Sequence, residues 1–143
     1  MYTVESTHEP GTIWAGSDDG LIHFTQDDGK SWTNVTPRGL DEGIINAIEI
    51  SPHDPGTVYF TFTRYKFGDL SPYIYRTTNY GKSWTQRTKG INDNAFVRVV
   101  REDPVQKNLL YAGTETGLYI SFNGGKLWER FQLNLPVVPI TDL

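Results

Sequence analysis

Apolar and polar positions along the chain alternate in short runs with a period of two, and no stretch shows convincing helical spacing. Between turn signals rich in Gly, Pro, Asp and Asn, the pattern predicts twelve strands in three groups of four. The first group is Tyr2 to Glu5, Thr12 to Ala15, Leu21 to Thr25 and Ser31 to Val35. The second is Ile45 to Ile50, Thr57 to Thr63, Tyr73 to Thr77 and Ser83 to Arg87. The third is Val97 to Arg101, Leu109 to Gly113, Leu118 to Ser121 and Leu127 to Phe131.

The groups are copies of one another. "TQDDGKSW" at Thr25 recurs as "TTNYGKSW" at Thr77 and as "SFNGGKLW" at Ser121. Upstream of each lies a second shared piece, "HEPGTIWAGS", "HDPGTVYFTF" and "DPVQKNLLYAGT". Trp32 to Tyr59 and Trp84 to Tyr111 are both 27 positions. The register breaks once, at an insertion inside "TRYKFGDLSP", Thr63 to Pro72. Four strands per repeat of roughly 40–50 residues is the arithmetic of a β-propeller blade. The expected fold is all-β, with blades over about 1–40, 41–92 and 93–135, and the start of a further blade strand over 136–143.

The repeated box reads as the turn between the third and fourth strands. Thr25, Thr77 and Ser121 supply hydroxyls, and Asp27, Asn79 and Asn123 can accept backbone N–H groups within the turn. Gly29, Gly81 and Gly125 suit a left-handed conformation. Trp32, Trp84 and Trp128 start the fourth strand, each ring expected to bury against the hairpin or the next blade. A catalytic role for Asp27 is opposed by its counterparts, because an amide at Asn79 or Asn123 can hold a turn but cannot act as base or nucleophile. One carboxylate and two amides on separate turns do not make a calcium cage either.

Composition narrows the function classes. With no cysteine in 143 residues, disulfides, Cys-ligated zinc and thiol nucleophiles are excluded. The net charge of −4, with Arg and Lys scattered, gives no field for nucleic acid or a membrane surface. No apolar run or leader pattern marks a membrane span or signal peptide, so the chain is expected to be soluble, in a compartment left open.

The boxes and the strings "SPYIYRTTNYGKSW", "VRVVREDP" and "LLYAGTETGLYISFNGGKLW" resemble the Asp-box, or BNR, repeat S/T-x-D-x-G-x-T/S-W. The likeness is to bacterial BNR-repeat proteins grouped with sortilin-type propellers and often labelled glycosyl hydrolase. Asp-box propellers also include sialidases and xyloglucan-cleaving enzymes. The resemblance implies the fold more than an activity, and a secreted or periplasmic parent is compatible with it. Asn79, Asn123 and Leu127 depart from the pattern, which implies a less tightly bonded third turn. The Phe-Arg-Ile-Pro segment of sialidases is absent, so no arginine triad or nucleophilic tyrosine carries over.

Chain phase completes the picture. First strands begin 13 positions after Trp32 and after Trp84, and the same offset from Trp128 falls on Thr141. Three blades do not close a ring. The chain is therefore expected either as part of a longer propeller or as half of a head-to-tail homodimer with six blades. An open arc would expose a broad apolar face on its first blade and another on its third.

Candidate function falls on the face opposite the boxes, where the loops between second and third strands meet the blade connections. That face would carry Asp18 and Asp19, then Arg64, Tyr65, Lys66 and Asp69 of the insertion, then Glu115, with Asp41, Glu42, Asn92 and Asp93 from the connections. Arg, Tyr, Lys, Phe and Asp on one long loop can stack on and hydrogen-bond a sugar or a peptide. The competing reading is an elaborated hairpin or a dimer contact. Glycoside hydrolysis needs two carboxyl groups about 5–9.5 Å apart, and the adjacent pairs Asp18–Asp19 and Glu102–Asp103 carry no motif and sit on neighbouring, oppositely pointing positions. His8 and His53 lie one repeat apart and do not converge on a metal; His23 is isolated. The expected function is a non-catalytic module binding carbohydrate or protein, with no catalytic residue, metal or cofactor assigned. The alternative is a glycoside hydrolase whose catalytic residues lie partly outside this chain.

Overall fold

The structure is a computed structural model and describes residues 2–131. The expected strands over 136–143 lie outside the described residues. Twelve strands form in chain order: β1 (Tyr2–Glu5), β2 (Ile13–Gly16), β3 (Ile22–Thr25), β4 (Thr33–Asn34), β5 (Ile44–Ile50), β6 (Val58–Thr63), β7 (Ile74–Thr77), β8 (Thr85–Gln86), β9 (Val97–Glu102), β10 (Leu110–Thr114), β11 (Gly117–Ser121) and β12 (Glu129–Phe131). They make three antiparallel four-stranded meanders, β1–β4, β5–β8 and β9–β12. This is a propeller segment of three blades. No helix among the described residues is long and apolar enough to cross a membrane.

The alternation along each strand explains how the sheets stack. In β6 every residue is buried, because the middle sheet is covered on both faces. Val58, Phe60 and Phe62 join Trp14, Ile22 and Val35 of the first sheet in one core. Tyr59, on the other face, joins Val97, Leu110, Ala112 and Trp128 of the third sheet in a second core. Each core therefore lies between sheets. Aromatic rings knit the first one: Trp14 stacks on Phe24 at 4.8 Å and meets Trp84 edge-on at 6.2 Å, while Phe60 meets Trp84 edge-on at 4.9 Å. Trp14 and Phe60, fully buried, each stabilise by about 1.5–3 kcal/mol through loss of hydrated apolar surface.

Three expectations are corrected. The fourth strands are shorter than the pattern predicts, two residues in β4 and β8 and three in β12. The tryptophans precede these strands, and they pack on the preceding sheet rather than the next. The Trp84 indole N–H donates to the Val35 carbonyl at 2.7 Å and that of Trp128 to the Arg87 carbonyl at 2.8 Å. Trp32 has no sheet before it among the described residues and is 46% exposed. Finally, the outer face of the first sheet is not broadly apolar. Thr3 and Glu5 are exposed there, and Ile13, Ala15 and His23 are only half-buried. At the other end, Val99 and Ile120 of the third sheet's outer face are buried.

Candidate functional site

The two faces of the stack do different work. On one lie the repeated turns. Asp27 accepts the Thr25 hydroxyl at 2.7 Å, the Ser31 N–H at 2.8 Å and the Ser31 hydroxyl at 2.6 Å, while the Gly29 N–H donates to the Thr25 hydroxyl at 3.0 Å. The Ser31 hydroxyl foremost, then that of Thr25, hold the Asp27 carboxyl down at about 2. It is a fixed anion and an acceptor, the opposite of what a general acid requires. In the second turn Asn79 accepts the Thr77 hydroxyl and the Ser83 N–H and returns an amide hydrogen to the Ser83 hydroxyl at 2.9 Å. In the third, Asn123 accepts the Ser121 hydroxyl and the Leu127 N–H, and Leu127 has no hydroxyl to complete the set.

The turn glycines also face the preceding sheet. A Cβ on Gly81 (φ +82°) would lie 2.8 Å from the Cβ of Val35, and one on Gly125 (φ +88°) would lie 3.1 Å from that of Arg87. Glycine is needed there for the left-handed backbone and for the close approach. Three further side chains tie sheet to sheet. His8 Nε2 bonds the Ser51 carbonyl at 3.0 Å and His53 Nε2 the Asp103 carbonyl at 2.8 Å. The Tyr80 hydroxyl donates to Glu9, and this bond raises the phenol to about 12. Sequence reasoning set the histidines aside as turn residues. Their partners lie more than forty positions away, so no local signal points to them. Among the described residues no cluster of His, Cys, Asp and Glu could hold a metal ion.

On the opposite face, a recess of 240 Å³ opens between the first and second sheets, lined by Asp18, Glu42, Gly43, Thr63, Arg64, Lys66 and Phe67, among others. Three segments build it: the β2–β3 loop, the connection into β5, and the insertion. The insertion folds as a 3-10 turn over Tyr65–Phe67, ended by Gly68 in the left-handed conformation and clasped by the Arg64–Asp69 bridge. Arg64 is held on several sides. Its Nε donates to the Glu42 carbonyl at 2.8 Å, its guanidinium lies 3.5 Å from Asp69 and 3.9 Å from Asp41, and it sits over the Phe67 ring at 5.1 Å. Asp69 accepts the Tyr73 hydroxyl first of all and the Ser71 N–H at 3.0 Å, which hold its carboxyl at about 2. Phe67 is 56% exposed at the mouth of the recess.

Of the residues singled out in the sequence, Asp18, Arg64 and Lys66 line this recess, and Asp69 braces it. Asp19 does not line it. Tyr65 points the other way and stacks on Phe96 at 5.3 Å. Phe96 lies under the Arg98 guanidinium at 5.1 Å, and Arg98 pairs with Glu115. The insertion thus bridges two clusters, the recess and the Phe96–Arg98–Glu115 group. Phe96 and Arg98 were not foreseen, since a stacked ring has no sequence mark apart from a core one. Among the described carboxyls only Glu49 is resolved as raised, by burial. It sits in the junction of the second and third sheets, where it accepts the Glu102 N–H at 2.9 Å.

No protein-family profile matches the chain. It is 27% identical over 114 residues to the oligoxyloglucan-reducing end-specific xyloglucanase of Emericella nidulans, a match covering 78% of this chain but only 14% of that protein. Among solved structures it superposes on an ancestral GH74 enzyme with a TM-score of 0.74 at 21% identity, covering 93% of this chain and 18% of the other. The GH74 xyloglucanase from Xanthomonas campestris gives 0.67 at 19%, covering 91% of this chain and 21% of that one. YCF48 bound to D1 peptide gives 0.65 at 17%, covering 89% and 39% respectively. These likenesses establish the propeller fold. The chain spans well under half the length of each of these proteins.

Proposed function

We propose that this chain is a non-catalytic, glycan-binding segment of a larger Asp-box propeller, and that the insertion face binds a neutral β-glucan of the xyloglucan type. The observation that carries the reading is the exposed Phe67 ring, backed by Arg64, at the mouth of a recess that also presents Asp18 and Lys66. A flat ring stacks on the apolar face of a pyranose, and the flanking charged groups hydrogen-bond its hydroxyls. The xyloglucanase relative supports the choice of ligand. The turn motif supports the Asp-box assignment, and the lengths of the relatives support a longer parent, whose other blades, or those of a second copy, would cover the Trp32 edge.

Two carboxyls on this face, Asp69 and Glu115, are committed to partners, which supports binding over hydrolysis. Asp69 is held ionised, and Glu115 is tied to Arg98. A glycosidase needs one carboxylic acid that keeps its proton near neutrality. The alternative, a glycoside hydrolase completed by residues beyond this chain, draws on the likeness to the xyloglucanase and to the GH74 enzyme structures. Titration calorimetry with xyloglucan oligosaccharides tests the proposal. Binding is expected, with Phe67→Ala weakening it by about 5- to 10-fold, the weight of one aromatic stacking contact. Release of reducing sugar by this chain would overturn the non-catalytic reading. Preference for an acidic or neutral peptide over the glucan would replace the ligand class.

A further inference from the structure

The chain is acidic overall, and both faces carry carboxylates, but cations gather locally at the sheet junctions. The insertion face gathers Asp18, Asp41, Glu42, Asp69 and Glu115 around a few paired arginines. On the turn side, each sheet junction opens into a groove whose charged lining residues are all cations. The groove between the first and second sheets, 580 Å³, has Arg38 and Lys82 as its charged residues. Its counterpart between the second and third, 380 Å³, has Arg87, Lys89 and Lys126. Neither is lined by a carboxylate.

The two grooves are the same place in successive repeats. Lys82 and Lys126 each follow the turn glycine, and Thr33 and Thr85 each open the short fourth strand of the preceding sheet. Arg38, Lys82, Lys89 and Lys126 are exposed and make no ion pair with another described residue. Burial, then the neighbouring Arg76, press the Arg87 guanidinium below its ordinary value. The Thr33, Thr85, Gln86 and Thr88 side chains line the same grooves, and no hydrogen bond commits them elsewhere among the described residues.

We infer that these paired grooves form a second binding surface, separate from the insertion face, for an anionic polysaccharide bearing carboxylates at regular intervals. Cations repeated once per blade match a polymer that repeats its charge, and hydroxyl and amide side chains between them match sugar hydroxyls. Nucleic acid fits less well, because single strands need exposed rings for base stacking. The Trp84 indole N–H is taken by Val35, and its ring packs on Trp14 and Phe60.

The test is affinity electrophoresis and calorimetry of the whole chain with polygalacturonate, alongside neutral xyloglucan, poly-glutamate and a short single-stranded oligonucleotide. Binding to polygalacturonate is expected at about 50 mM salt and its loss by about 500 mM, where the screening length falls to a few ångströms. Lys82→Gln with Lys126→Gln is expected to weaken it about tenfold, two exposed ionic contacts at up to ~1 kcal/mol each. Both lysines are exposed, so the thermal midpoint should not move. Xyloglucan binding should also be unchanged, which separates failure here from failure of the insertion-face reading. No binding at low salt, undiminished affinity in the double variant, or equal affinity for poly-glutamate or the oligonucleotide would each overturn the inference.

Discussion

Trp32 and Trp128 hold the same position in the same repeated turn, yet one is 46% exposed and the other 2%. The turns themselves hardly differ. In both, a hydroxyl and a short carboxylate or amide close the loop around a left-handed glycine. What differs is the sheet in front. Trp128 inserts between the second and third sheets and donates its N–H to Arg87, whereas no described sheet precedes Trp32. The box tryptophan is therefore a residue of the junction with the preceding blade, and the turn is the frame that aims it.

The largest expected effect follows directly. Trp128→Ala should cost about 3–5 kcal/mol of stability, the usual range for a fully buried large aromatic, read as a shift in urea midpoint with an unchanged slope. A loss below about 1 kcal/mol would mean that the junction collapses around the gap and that the buried ring is not what holds the blades together.

A smaller effect separates the first turn from the other two through pH. Asp27 titrates at about 2 in the folded chain against an ordinary 3.8, so its contribution is fully present above about pH 4 and is lost as pH falls through about 2. The amide resonance of Ser31, which donates to Asp27, should move with a midpoint near 2 and stay still in Asp27→Asn. That of Ser83, which donates to Asn79, should show no such step. A step of the same midpoint at Ser83 would mean that the whole blade, not the single turn, responds to acid.

The smallest expected effect is the sharpest contrast. Trp32→Ala should change stability by no more than about 0.5 kcal/mol, as for other exposed sites. A loss approaching that of Trp128→Ala would show that this edge is covered in solution by another blade, from a second copy or from the longer parent.

Much of this was legible because it is local. The strand periods and the turn boxes need only a window of ten residues, and the insertion announces itself by breaking a fixed spacing. The short fourth strands were not legible, since Ser31 and Ser83 look like strand residues until their N–H groups are seen bonding Asp27 and Asn79 instead of a neighbouring strand. The direction in which the tryptophans pack was not legible either. Val35 and Trp84 lie 49 positions apart, and nothing near either one names the other. For the candidate site, sequence spacing picked out Asp18, Arg64 and Lys66 as lying on one face. It also gave Phe67 as a stacking residue of the insertion, but it could not find the cationic grooves, whose members come from different repeats and are hidden in a net charge of −4.

The acceptors of the tryptophan N–H groups are main-chain carbonyls, and they belong to residues as unlike as Val35 and Arg87. A fastening that ignores the identity of the side chain leaves that position free to drift. At this point of the junction one copy of the unit can follow another without a matched pair of substitutions, so a change in a neighbouring groove or loop leaves this fastening in place.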